Sequence, residues 1–166
     1  MFAQLNVQLH YDFGNTIYGN ELDNRPHLTA TVENFKADKW GSTYFFVDAN
    51  FKDNTMESAY AEISRELKFW KAPIAAHVEY NGGLSGHGSY NDAYLVGPAY
   101  NWASKDFKKT FSLQLLYKYL ANQKIGTKHS WQITTVWGIN FANGLCTFSG
   151  YADLWHDNSV NGSLVL

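Results

Sequence analysis

The chain has 166 residues, enough for one domain with a sizeable core, and its 17% charged residues, 17% aromatics and 3 prolines exclude intrinsic disorder. A net charge of −2 gives no basic footprint for nucleic acid, and a single cysteine, Cys146, excludes an internal disulfide and a cysteine-based zinc site. No stretch approaches the roughly 18 apolar residues of a membrane helix, yet a mean hydropathy of −0.35 also suits a transmembrane β-barrel, whose apolar and polar faces average out.

The residues alternate from the start. Leu5, Val7, Leu9, Tyr11 and Phe13 alternate with Asn6, Gln8, His10 and Asp12, a period of two that makes a strand with one apolar and one polar face. Leu28–Lys36 is β-like with blurred alternation. Next, Thr43, Phe45, Val47, Ala49 and Phe51 oppose Tyr44, Phe46, Asp48 and Asn50. A fourth strand runs from Ala59 to Phe69, with Tyr60, Glu62, Ser64, Glu66 and Lys68 on its polar face. Ile74, Ala76, Val78 and Tyr80 then oppose Ala75, His77, Glu79 and Asn81. Tyr90–Trp102 is β-like but blurred, and Pro98 predicts a bulge or a strand end there.

Phe111–Tyr119, Ser130–Phe141 and Thr147–Trp155 complete nine strands, and Ser163–Leu166 starts a tenth. No helix is expected. Connections rich in Gly and Asn are mostly longer at one end: Gly14–Pro26, Lys52–Met56, Asn81–Ser89, Ala121–Lys128 and His156–Gly162. At the other end they are tight: Ala37–Gly41, Lys71–Pro73, Ala103–Lys108 and Asn143–Gly144, the last a two-residue hairpin signal. Long loops at one end and short turns at the other mark an outer-membrane barrel. Trp40, Phe69, Trp70 and Phe141, with Phe107, cluster beside the short turns, where interfacial aromatic girdles lie. The expected fold is therefore an all-β, antiparallel, up-and-down transmembrane β-barrel. A soluble barrel or sandwich would turn the same apolar faces inward, so the orientation of Phe45, Leu113, Trp131 and Ile139 discriminates the two.

The ends read as incomplete. Phe2-Ala3-Gln4 is similar to the last residues of a signal peptide, and nine strands cannot close a single-chain bacterial barrel, which has an even number. The expectation is one domain, 1–166, lacking its signal peptide and some C-terminal strands.

Val32-Glu33-Asn34-Phe35-Lys36-Ala37-Asp38-Lys39-Trp40, running on into Tyr44-Phe45-Phe46-Val47-Asp48, resembles the Tsx-type nucleoside channels. An acidic strand, a Lys/Asp-Trp turn and an aromatic strand ending in Asp occur there in the same order. Tyr60-Ala61-Glu62-Ile63 with Leu67-Lys68-Phe69, and Phe148-Ser149-Gly150-Tyr151-Ala152-Asp153-Leu154-Trp155, resemble further strands of that family. The run from Gln8 to Trp155 is closer still to an uncharacterised Bacteroidetes family of Tsx-like barrels. The resemblance implies a twelve-stranded porin of the bacterial outer membrane. Its implied function is a channel for passive diffusion of small polar solutes, nucleosides above all.

Glu33, Asp48, Glu62 and Glu79 would face the lumen from successive strands. With Tyr44, Tyr60 and His77 they could line a polar, aromatic constriction in which hydroxyls are hydrogen-bonded and a base stacks on rings. The plainer reading is that these charges pair with Lys68, Lys118 or Arg65 and brace the barrel. Arg65 has the parity of the apolar face, where a mid-bilayer charge costs about 2–4 kcal/mol, so a bulge or an interfacial position is expected. His10 with Asp12, and His156 with Asp157, fall short of a metal site. The Gly82–Gly88 run lacks the Lys-Ser/Thr of a phosphate loop and reads as a flexible outer loop. No nucleophile motif supports an enzyme, and no cofactor is implied. The expected partners are a small polar solute and outer-membrane lipid. The alternatives are a soluble secreted β-barrel or sandwich that binds a small ligand, and a structural outer-membrane barrel without transport.

Overall fold

A computed structural model describes residues 3–18, 25–90, 92–124, 126–156 and 164–165. Nine long strands carry the fold: β1 (Ala3–Tyr11), β2 (Leu28–Asp38), β3 (Gly41–Lys52), β4 (Thr55–Leu67), β5 (Ile74–Ser85), β7 (Ala93–Ala103), β8 (Lys109–Leu120), β9 (His129–Phe141) and β10 (Cys146–His156). Two short strands, β6 (Gly88–Ser89) and β11 (Leu164–Val165), pair with β5 and β10. Every neighbour in the sheet is antiparallel and follows in chain order, so the topology is up-and-down, and the sheet curls into a half-barrel. The all-β expectation and its strand order hold. Ser163 and Leu166 of the expected tenth strand lie outside the described residues.

Five local expectations are corrected. A five-residue helix, α1 (Gly14–Tyr18), follows β1, started where the Asp12 carboxylate accepts the amide of Gly14 at 2.8 Å. One turn is too short to show a helical period. Pro98 neither ends β7 nor shifts its register: Val96 pairs with Tyr117 and Ala99 with Gln114 in the same frame. Asn143 and Gly144 belong to a short 3-10 turn, Ala142–Gly144, in which Ala142, Asn143 and Gly144 all have positive φ. The Lys52–Met56 connection is a tight turn over Asp53 and Asn54, both at positive φ as a type I′ hairpin requires. The Gly82–Gly88 run is also more ordered than expected, because β5 continues to Ser85 and pairs with β6 across Gly86-His87.

Burial alternates along the strands. In β5, Ala75 and His77 are buried while Ile74, Ala76 and Val78 are exposed, and β7 repeats this with Ala93, Leu95 and Ala99 against Tyr94, Val96 and Tyr100. The buried apolar cluster is small, consisting of Ala93, Leu95 and Leu116 with Leu120 packed on it. Apart from Ala75 and Ala99, the other buried residues described on that face are polar: Ser58, His77, Asn81, Gln114, Ser130 and Gln132. The opposite face carries Leu5, Val7, Leu9, Val47, Ile63, Val78, Val96, Leu115 and Trp131, all between 39% and 70% exposed. Burial in water drives apolar side chains inward. Here the sheltered side of the curl is the polar one.

Candidate functional site: the polar concave face

Residues paired directly across antiparallel strands share a face, so register alone assembles the site. Asn6 pairs with Glu33, Glu33 with Phe46, Phe46 with Glu62 and Glu62 with Asn81. Thr31 pairs with Asp48, Asp48 with Tyr60, Tyr44 with Ser64 and Ser64 with Glu79. Glu66 pairs with His77. All seven expected lining residues, Glu33, Tyr44, Asp48, Tyr60, Glu62, His77 and Glu79, therefore stand on the concave face.

Their hydrogen bonds divide them into groups. Glu33 is caged by three donors from the two strands that flank it: Asn6 Nδ2 at 2.9 Å and Gln8 Nε2 at 3.0 Å from β1, and Tyr44 Oη at 3.0 Å from β3. Asp48 accepts the Thr31 hydroxyl at 2.6 Å, and Glu62 accepts the Tyr60 hydroxyl at 2.6 Å. His77, 2% exposed, is flanked by two carboxylates, with Nε2 3.0 Å from Glu79 and Nδ1 3.7 Å from Glu66. Asn101 of β7 donates to Glu66 across β5 at 2.6 Å, which spans three strands on the inner side of the curl.

Four rings run along the same face. Tyr44 and Phe46 are 6.1 Å apart, Phe46 and Tyr60 6.1 Å, and Tyr60 and Tyr90 6.3 Å. Gly83 lies opposite Tyr60, and a Cβ built there would come within 2.6 Å of the Tyr90 ring, so this glycine makes room for the last ring. The sequence reading found Tyr44 and Tyr60 but missed Phe46 and Tyr90. Phe46 shares the parity of Tyr44 and Asp48 and could have been read from it. Tyr90 comes from a connection, where no periodicity applies.

The far strands contribute a second group. Lys118 donates to Gln132 at 2.9 Å and stands 5.3 Å from the Trp155 ring, while Thr134 donates to Asp153 at 2.5 Å. By register Lys118 and Asp153 stand on the same concave face as Glu62, carried by strands on the far side of the curl. Arg65 plays no part here. Its guanidinium bonds both Asp38 oxygens at 2.8 and 2.9 Å, and Thr43 at 2.9 Å, on the outer face beside the β2–β3 turn.

The aromatics expected beside the short turns fall into two places. Trp40, Phe69 and Trp70 form one cluster, with Trp40 and Phe69 5.6 Å apart, Phe69 and Trp70 6.2 Å apart, and Lys39 Nζ 4.8 Å from the Trp40 ring. Phe141, half exposed, stands at the same end of the sheet where β9 turns into β10. Phe45, Leu113, Trp131 and Ile139 all lie on the outer face by register. Among the described residues no group of three or more His, Cys, Asp or Glu side chains is placed to hold a metal ion, and no helix is long and apolar enough to cross a membrane.

No curated protein and no solved structure matches this chain. One family does match, over residues 3–166: the chain belongs to the DUF5020 family, a domain of unknown function.

Proposed function

We propose that this protein is an outer-membrane β-barrel that lets small polar solutes, nucleosides among them, diffuse through its lumen. One observation carries the reading: the sheet shelters its polar face and exposes its apolar one. An apolar belt of that kind is stable in lipid, while the concave side forms a wetted path. Strands of 9 to 13 residues suit the roughly 9–11 that cross a bilayer at a tilt. The aromatic cluster of Trp40, Phe69 and Trp70 sits where an interfacial girdle would be, with Lys39, Lys68 and Lys71 beside it to meet headgroups.

The solute class follows from the lining. Carboxylates at Glu33, Asp48 and Glu62 can accept hydroxyl donors, and the track of Tyr44, Phe46, Tyr60 and Tyr90 offers π-faces to a base. The resemblance to the Tsx-type channels makes a nucleoside the best fit to both. Transport would be facilitated diffusion, with weak binding concentrating the solute and no energy coupling.

The experiment is liposome swelling with the full-length protein, comparing nucleosides with sugars of equal size. Faster nucleoside entry supports the reading. Equal rates leave a general pore and remove the nucleoside claim, and no flux of either favours a structural barrel.

A further inference from the structure

The concave face is unevenly charged. Among the described residues of the long strands it carries six carboxylates, Glu33, Asp48, Glu62, Glu66, Glu79 and Asp153, against two lysines, Lys118 and, at the rim, Lys52, and two histidines, His10 and His77. Even with both histidines protonated the face remains acidic.

These carboxylates are not equally provided with donors. Glu33 has three, and Glu66 has Asn101 with His77 nearby. Among the described residues Glu62 has only the Tyr60 hydroxyl as a donor, and it shares its face with Glu79, Lys118 and Asp153. Asn81 stands directly opposite Glu62 in the register, is 5% exposed, and its Oδ1 accepts no hydrogen bond. A buried acceptor without a donor is costly, and it becomes favourable when a ligand brings the donor. This stretch of the wall therefore holds acceptors in excess of donors, in a concavity where water screens charge less than in bulk.

We propose that Glu62, Asn81, Glu79 and Asp153 form a selectivity constriction that draws cations and donor-rich neutral solutes and repels anions, phosphorylated nucleosides included. Rings of acidic side chains select cations in this way, by lowering the energy of a positive charge at the narrowest passage. Lys118 moderates the field and keeps neutral solutes admissible. The inference rests on the channel reading and adds the sign of charge that the channel admits.

The test is the reversal potential of the full-length protein in a planar bilayer under a KCl gradient near 0.1 M, where the screening length is about 10 Å. A several-fold preference for K⁺ over Cl⁻ is expected. It should fall toward unity in the double variant Glu62→Gln/Glu79→Gln and rise in Lys118→Gln. Conductance of the double variant shows that it has inserted, and Asp153→Asn replaces it if it forms no channels. Open channels that are unselective or anion-selective overturn the inference and leave the channel reading standing, as does a double variant with undiminished selectivity. Absence of any conductance from the unmodified protein overturns both.

Discussion

The guanidinium of Arg65 holds both carboxylate oxygens of Asp38, at 2.8 and 2.9 Å, on the apolar side of the sheet. An unpaired cation on a lipid-facing strand is unfavourable, and the penalty falls toward the interface. Asp38 ends β2 directly beside the β2–β3 turn, where the Trp40 cluster also lies. Fork-shaped pairing makes Arg and Lys unequal at such a site. Asp38→Asn and Arg65→Gln should each lower the urea midpoint of the protein in lipid vesicles, and the double variant should be no worse than the poorer single. Additive losses would show that the two side chains act independently.

Gly97 marks a second dependence. A Cβ there would lie 2.0 Å from the carbonyl oxygen of Leu115 on the neighbouring strand, where only backbone could give way. Gly97→Ala should destabilise the sheet by about 1–3 kcal/mol, the usual cost of overpacking. Gly86 meets nothing within 4 Å, so Gly86→Ala should change stability by less than about 0.5 kcal/mol. Denaturant unfolding of the two variants gives the comparison, and equal effects would contradict the close approach of β7 and β8.

The turn between β7 and β8 supplies a pH-dependent element outside the strands. The Asp106 carboxylate accepts the Ser104 hydroxyl at 2.6 Å and the Lys108 amide at 3.2 Å, and these bonds hold its pKa below the ordinary carboxylate value. A depressed folded pKa means that the bonds stabilise the turn fully above the ordinary carboxylate range. That contribution is lost as pH falls through the depressed value. An NMR titration should place the Asp106 midpoint below that of an ordinary aspartate, with Ser104→Ala moving it back up. An unshifted midpoint in the unmodified protein would contradict the capped turn.

Much of this architecture is legible in the sequence because period two is the dominant physical signal of a half-buried strand. Parity and hairpin connectivity put Glu33 and Asp48 on one face, whereas Tyr60 and Glu62 join them only because a β-bulge shifts the β3–β4 register by one residue between Asn50 and Phe51, which no period announces. What escaped are features without a period. Helix α1 depends on an aspartate side chain bonding one amide. Tyr90 reaches the aromatic track from a connection, and the Asn101–Glu66 bond requires the curl itself. Asp153 is readable as a polar-face residue, but its position across from Glu62 emerges only when the sheet bends.

On the proposed membrane reading, the exposed apolar face meets lipid and the polar face meets water. That reading is tested most directly by spin-labelling single cysteines from Ser112 to Tyr117 of β8, in a Cys146→Ser background in phosphatidylcholine vesicles. Labels at 113, 115 and 117 should collide with oxygen dissolved in the lipid. Labels at 112, 114 and 116 should instead be reached by a water-soluble relaxation agent or shielded from both. Aqueous access at 113, 115 and 117, with no oxygen enhancement, would contradict it.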